Sequence, residues 1–459
     1  MLFYLLLATL LWLPLPEASR PDWAMVILSS LVYTLAAFAT VSWVRGRLVI
    51  TPAFRAATPL HIGFILVMAW MWFQQIPLPM AWVQALSPSA AEYSLQAQAA
   101  MGLPAGTYGY LSLAPEATHF SALLTTAYYL LFCLTLLLVD SRKRLEQLLM
   151  AFVAAGTFQA VFGSLSTLSG AEWLLFREKT SYLGVASGTF VNRNSFSGFL
   201  EMTLAAGMGL LIARLQNNRF TSWRERLMAA LQVLMSNKVL LRSALAIMVI
   251  GLVMSRSRMG NTAFFSSLMV TGLIYVVIQR KLTRGMVFLF ASLLIIDTVI
   301  ISQWFGLEQV MNRLERTSME RETRPNVAHV TLDMIKDNGL TGTGGGSYYT
   351  ALPHYHDGSW GGFYDLAHND YLQFPAEMGV PAFLILAAMV LFCLYKAFRA
   401  MGQKRKKLYQ GAGFASFMGI LAILIHATVD FNLQMPANAA YFVVLMAVSL
   451  IAHSRSKAS

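Results

Sequence analysis

The chain has 459 residues, of which 57% are hydrophobic and only 12% charged, and its mean hydropathy is +0.56. These values exclude a soluble globular domain and place the protein in a bilayer. The formal charge of +12 reports topology before it reports any partner in such a chain, and no nucleic-acid partner is inferred from it.

A span needs roughly 20 apolar residues to cross a hydrocarbon core about 30 Å thick. Such runs predict about twelve transmembrane helices, near residues 2–16, 23–44, 59–78, 119–139, 145–168, 195–215, 243–255, 259–279, 285–305, 377–398, 411–430 and 436–452. The first run lacks a basic n-region and reads as a short span rather than a secretory signal. Cys133 and Cys393 fall far apart in apolar runs, which supports neither a disulfide framework nor a cysteine metal site.

Basic residues test this division, because short cytoplasmic loops collect Lys and Arg. With a cytoplasmic N-terminus, one side collects Arg45, Arg47, Arg55, Arg142, Lys143, Arg144, the run from Arg214 to Arg242, Arg280 to Arg284, Lys396 to Lys407, Arg455 and Lys457. Every loop keeps the parity, so both termini are expected in the cytoplasm. Two loops on the other side are long. Residues 79–118 form a Pro-punctuated segment expected on the bilayer surface, with no chemistry assigned. Residues 306–370, between spans nine and ten, are polar, with helical stretches near 308–319 and 326–337, a TGTGGGSYY segment and a cluster of His, Asp and aromatics. The glycines lack the G-K-[ST] of a phosphate-binding loop, so a turn is expected there.

The basic residues left outside are Arg20, Arg177, Lys179, Arg193, Arg256, Arg258, Arg313, Arg316, Arg321, Arg324 and Lys336. Those from Arg313 to Arg324 are interleaved with Glu308, Glu315, Glu320 and Glu322, as in a solvated, self-neutralised helix. Arg256 and Arg258, in MSRSRMG, differ: no Asp or Glu occurs between Glu225 and Asp297. A charge at membrane depth is costly and serves a function unless it snorkels to headgroups. Two planar guanidinium forks without a local carboxylate point to a phosphate-bearing ligand. Arg193, in SGTFVNRNSFSG, repeats the pattern beside Asn192, Asn194 and Ser195, which suit a helix cap, with Glu201 two turns deeper as a possible partner.

A general base is sought among the outer histidines, His119, His329, His354, His356 and His368. His368 stands where the long loop meets span ten, at the level of Arg256 and Arg258, with Asp365 or Asp370 placed to orient its ring; the alternative is a surface histidine before a helix capped by Asn369 or Asp370. His354 and His356 make an H-x-H with Asp357 following, but no third ligand stands at convincing spacing. His426 and Asp430 share a helix face four residues apart, either as a buried structural pair or as support for the site from below.

From about Gly188 onward the chain resembles the bacterial O-antigen ligase and polysaccharide polymerase family, whose common region is called Wzy_C. The resemblance is carried by GTFVNRNSFSG (188–198), SRSRMG (255–260), the stretch from Arg324 to the GTGGG ending at Gly346, HNDYLQFPAEMGV (368–380) and HATVDFNLQMPANA (426–439). It divides the chain into N-terminal helices (1–187) and a Wzy_C-like catalytic region (188–459). It implies an all-α, GT-C-like integral membrane glycosyltransferase, inverting and metal-independent, with no cofactor. The implied donor is a glycan linked to a polyprenyl (undecaprenyl) diphosphate, and the acceptor is lipid A core, a growing glycan or a protein. On this chain Arg193, Arg256 and Arg258 match the diphosphate binders, Arg324 a further loop arginine, and His368 the base. Asn194, Asp370, Tyr371, His426 and Asp430 fall in the same motifs as supporting residues. A secondary transporter is the competing class for twelve spans, but its halves would resemble each other and bind near the midplane. An intramembrane protease lacks its Gly-x-Ser setting around Ser195 or Ser197.

Overall fold

A computed structural model describes residues 1–104, 106–214, 237–280, 324–356, 358, 364–403 and 406–457. The described residues are about 75% helical. The helices are α1 (Leu2–Trp12), α2 (Asp22–Val44), α3 (Pro52–Ala56), α4 (Thr58–Phe73), α5 (Met80–Leu86), α6 (Pro88–Ala100), α7 (Pro115–Leu138), α8 (Arg142–Ser169), α9 (Arg193–Ala213), α10 (Asn237–Met254), α11 (Arg258–Gln279), α12 (Arg324–Asn338), α13 (Tyr348–Ala351), α14 (Asp370–Met401), α15 (Lys407–His426) and α16 (Pro436–Lys457). Eight of them, α2, α7, α8, α9, α11, α14, α15 and α16, are long and apolar enough to cross a membrane, and α1, α4 and α10 are shorter apolar helices. The expected ninth span near 285–305, the stretch 308–319 and Arg313, Arg316 and Arg321 lie outside the described residues.

Helices α9 and α16 form the centre of the bundle, 94% buried over their apolar windows, whereas α2 and α14 are only 28% buried. Small residues make the central crossing possible. A Cβ on Gly411 of α15 would stand 2.1 Å from the Gly209 carbonyl oxygen of α9, so the two backbones touch, as close-packed membrane helices do. Described parts of three basic loops and the C-terminal basic residues meet at one end of the bundle. Arg144 pairs with Asp140 at 2.9 Å, Arg214 with Glu146 at 2.7 Å, and the Lys406 ammonium donates to the Arg455 carbonyl. The remaining loops meet at the opposite end, where Arg177 reaches Glu17 and Arg20 reaches Asp365.

Segment 79–118 is more than a surface strip. Strands β1 (Leu78–Pro79) and β2 (Tyr108–Gly109) pair antiparallel, and Leu78, Val83, Ala90 and Leu111 join Val327, Met334, Tyr348 and Leu352 in a second hydrophobic cluster. The two long outer loops therefore build one cap with its own core. Helix α14 begins earlier than expected and is broken: Gly379 has φ 80° and ψ 156°, between Pro375 and Pro381. The glycine loop 342–346 docks into that break. Thr343 and Gly344 donate backbone N–H groups to the Ala376 and Glu377 carbonyls at 2.9 and 2.8 Å, and Val380 donates to Gly339 at 2.8 Å. The Glu377 carboxylate accepts from the Gly346 and Tyr348 N–H groups at 3.0 and 3.2 Å. The expected turn is found, and its Gly346 amide is occupied by the Glu377 carboxylate.

Candidate active site

Helix α9 starts at Arg193 because Asn192 caps it, accepting from the Asn194 N–H at 2.7 Å; of the three residues suited to a cap, Asn192 is the one that serves, and Asn194 is the residue capped. The Arg193 guanidinium lies over the Tyr182 ring, 5.6 Å from its centroid, within cation–π range. One turn along, the Ser197 hydroxyl stands 2.8 Å from the Arg193 carbonyl and 2.9 Å from the Ser255 hydroxyl. Ser255 in turn accepts from the Ser257 N–H at 3.1 Å, and Ser257 caps α11 by accepting from Gly260. A Cβ on Gly260 would fall 2.4 Å from the Ser197 Cβ, so the MSRSRMG turn is pressed onto the head of α9.

That clamp holds Arg256 with φ at 51°, a left-handed conformation that costs a non-glycine residue about 1 kcal/mol or more. Strain of this kind collects at functional sites. Arg256 is half-buried and Arg258 exposed. Neither makes an ion pair among the described residues, whereas four other outer cations do: Arg177 with Glu17 at 2.6 Å, Lys179 with Glu172 at 2.9 Å, Lys336 with Asp333 at 2.6 Å, and Arg20 with Asp365. Glu172 shows the local effect. Its burial raises the carboxyl pKa, but the Lys179 ammonium and the Gly184 N–H outweigh that and hold it below its ordinary value.

His368 also has a positive φ, 52°, forced where the chain turns into α14. Asn369 caps that helix, accepting from the Tyr371 N–H at 2.9 Å. The imidazole packs edge-on against Tyr364 and Phe431, with centroids 5.7 and 4.6 Å away. The expectation that Asp365 or Asp370 orients the ring is corrected. Asp365 pairs with Arg20, and Asp370 accepts from the Leu433 N–H at 3.1 Å and lies 3.5 Å from Gln434. Asp370 therefore ties the start of α14 to the turn that carries Phe431. Tyr371 donates to the Leu424 carbonyl at 2.9 Å, tying α14 to α15.

The turn between α15 and α16 joins the two parts. Phe431 touches His368, and the next residue, Asn432, lies against α9 so closely that a Cβ on Gly198 would be 2.2 Å from its Oδ1. Asn438 completes the link, donating to the Ser195 carbonyl at 2.9 Å and to Asn432 Oδ1 at 3.1 Å. Below it, His426 Nδ1 is 2.7 Å from Glu201 Oε1 and its Nε2 is 4.0 Å from Asp430, all fully or almost fully buried. Glu201 is thus the partner of His426, not of Arg193 as its spacing suggested. Arg324 is exposed at the first residue of α12, a helix that packs chiefly on α14, and so stands apart from the α9–α11 cluster by element. His354 packs against Tyr93 at 4.6 Å, and His356 Nδ1 accepts from the Gly358 N–H at 2.9 Å.

Residues 243–387 match the family model Wzy_C, described as O-antigen ligase. This supports assignment of the chain to the O-antigen ligase and polymerase family. The family suggests a glycan-transferring, multi-pass membrane enzyme. No curated protein matches the chain significantly. The family match includes Arg256, Arg258, Arg324, His368, Asp370 and Tyr371; Arg193, Asn194, His426 and Asp430 lie outside it and are brought to the same end by the fold. Sequence reasoning overlooked Phe431, the Ser197–Ser255 contact and Glu377. Only Glu377 left a signal, as a lone acid between two prolines.

Proposed function

We propose that the chain transfers a glycan from a polyprenyl diphosphate-linked donor to an acceptor hydroxyl at the extracytoplasmic face of the bacterial inner membrane. The observation that carries this reading is the pair Arg256 and Arg258, unmatched by carboxylates among the described residues and clamped through Ser255 to the head of α9, which the Asn432 turn connects to His368.

In this reading Arg256, Arg258 and Arg193 hold the diphosphate, with Arg324 as a further contact from the cap. His368 takes the proton of the acceptor hydroxyl. The oxygen forms its bond to the anomeric carbon from the face opposite the phosphate, and the bond from that carbon to the phosphate oxygen breaks, its electron pair leaving with the diphosphate. Inversion follows from this displacement. Fixed guanidiniums in a water-poor site stabilise the charge that grows on the leaving group, in the role that a divalent cation fills in other enzymes. His426, Asp430, Asn194, Asp370 and Tyr371 shape the surroundings.

The test is to incubate the purified protein in detergent with a diphosphate-linked donor and, separately, lipid A core, a glycan and a peptide, with a chelator present. Transfer to one acceptor with release of polyprenyl diphosphate is the expected result. Movement of donor only across sealed vesicles, without transfer, would mean a transporter.

A further inference from the structure

From Ser255 to Arg258 the chain alternates hydroxyl and guanidinium, and the fold sorts the two kinds. Ser255 and Ser257 are buried, at 0% and 1% exposure, whereas Arg256 is half-buried and Arg258 exposed. The serines hold the turn from inside. Ser255 Oγ stands 2.5 Å from the Leu252 carbonyl and accepts the Ser257 N–H at 3.1 Å. Ser257 Oγ accepts the Gly260 N–H at 3.2 Å, and the Ser257 carbonyl accepts from the Asn261 amide at 2.8 Å.

One contact ties this turn to the other arginine of the cluster. The Ser197 hydroxyl is 2.9 Å from Ser255 Oγ and 2.8 Å from the Arg193 carbonyl. Arg193 and Arg256 are therefore linked through two hydroxyls, both on residues that are 0% exposed. Stability alone does not ask for those hydroxyls. Burying one costs free energy unless it is bonded, and an apolar pair of the same shape serves stability about as well. The close approach asks only for small side chains, since a Cβ on Gly260 would fall 2.4 Å from the Ser197 Cβ, and alanines would meet that need. What the hydroxyls add is direction. A hydrogen bond forms over a narrow range of distance and angle, so this one fixes how the Arg256 backbone stands against the head of α9.

A diphosphate makes a matching demand. Its bridging oxygen holds two phosphoryl groups at a set separation, and guanidinium forks bind phosphate oxygens with directional preference. A monophosphate needs only one fork. We propose that the Ser197–Ser255 hydroxyl contact is a positioning device that sets the spacing between Arg193 and Arg256 and so selects a diphosphate over a monophosphate. The inference rests on the reading of these arginines as donor binders, and the two serines act through them.

The experiment uses the full chain in phosphatidylcholine nanodiscs, titrated calorimetrically with farnesyl diphosphate, farnesyl monophosphate and farnesol, the alcohol reporting partition into the bilayer. Wild type is expected to bind the diphosphate more tightly than the monophosphate. Ser197→Ala removes only an oxygen. It should weaken diphosphate binding about fivefold, roughly the worth of one neutral hydrogen bond, and leave monophosphate binding and the melting temperature unchanged. Gly260→Ala pushes the turn off α9 without removing a hydrogen-bonding side chain, and should weaken diphosphate binding at least as much. In an Arg256→Ala background, Ser197→Ala should have no further effect, because nothing remains at that position to be placed. Diphosphate binding by Ser197→Ala equal to wild type overturns the proposal. So do equal losses for the two phosphates, and a fivefold loss that persists in the Arg256→Ala background. Wild-type binding of farnesyl diphosphate no tighter than that of farnesol would instead remove the donor reading on which the device depends.

Discussion

The loop joining α8 to α9 and the turn joining α10 to α11 touch, the Ala186 N–H donating to the Met254 carbonyl at 3.0 Å, yet they treat positive charge in opposite ways. In the loop every described lysine or arginine outside the helices has a carboxylate: Lys179 has Glu172 and Arg177 has Glu17. In the turn Arg256 and Arg258 have none among the described residues, and the backbone at Arg256 is held in a left-handed conformation. Cations of the first kind hold the fold together, because removing one leaves a buried or half-buried acid behind. Of the second kind, Arg256 is half-buried and held by the fold against its own preference for water. The same residue type therefore has two uses within one face, and the difference is in the partner.

The largest expected effect tests the second kind. Arg256→Ala should lower transfer by about 10²- to 10³-fold, the usual cost of losing one fixed donor to developing charge. His368→Ala should lower it by about 10²- to 10⁴-fold, as for loss of a general base. Both variants should keep the wild-type melting temperature. A variant that melts early while retaining full turnover would move that residue into the structural class and erase the contrast.

Lys179→Met tests the first kind. The Lys179 side chain is only 3% exposed and also donates to the Val185 carbonyl at 2.6 Å, so its loss frees the segment that holds the end of α10. The expected cost is about 2 kcal/mol in unfolding, between the values for exposed and fully buried pairs, with transfer nearly unchanged once the protein is folded. Unfolding monitored in denaturant reads the first quantity and the transfer assay the second.

Much of this division was legible in the sequence, and its limits have physical reasons. Twelve apolar runs and the parity of Lys and Arg report transfer to lipid and interaction with headgroups, which are properties of single residues and short windows. The isolation of Arg256 and Arg258 was legible because a stretch without acids offers no local partner. Partners distant in sequence were not. Glu201 meets His426 from 225 residues away, and spacing along α9 pointed it at Arg193. Asp365 and Asp370 sit next to His368 in the chain, but one is drawn off by Arg20 and the other by the Leu433 backbone, a competition that only three-dimensional packing decides. Pro375, Gly379 and Pro381 announced a break in α14, whereas the docking of the glycine loop into it depends on the register between Gly342 and Glu377, which no local pattern encodes.

Two smaller effects sharpen the comparison within the paired class. Because Lys179 and the Gly184 N–H hold the Glu172 pKa below its ordinary value, near 4.3 in an unfolded chain, its contribution to stability is complete above that pH. It is lost as pH falls through the lower, folded-state value. Melting temperatures of wild type and Glu172→Gln should therefore differ at neutral pH and converge towards acid; a constant gap would mean that the carboxylate's charge is not what stabilises the loop. The Arg177–Glu17 pair gives the smallest effect. Its two bonds of 2.6 and 2.8 Å are well formed, but the Arg177 side chain is 47% exposed, so water and salt screen it and Arg177→Ala should cost no more than about 1 kcal/mol. Unfolding free energies measured at low and high salt should bring variant and wild type together as ionic strength rises. If Arg177→Ala instead removed transfer at unchanged stability, good pairing would no longer identify a structural cation, and the distinction drawn between loop and turn would fail at its most exposed member.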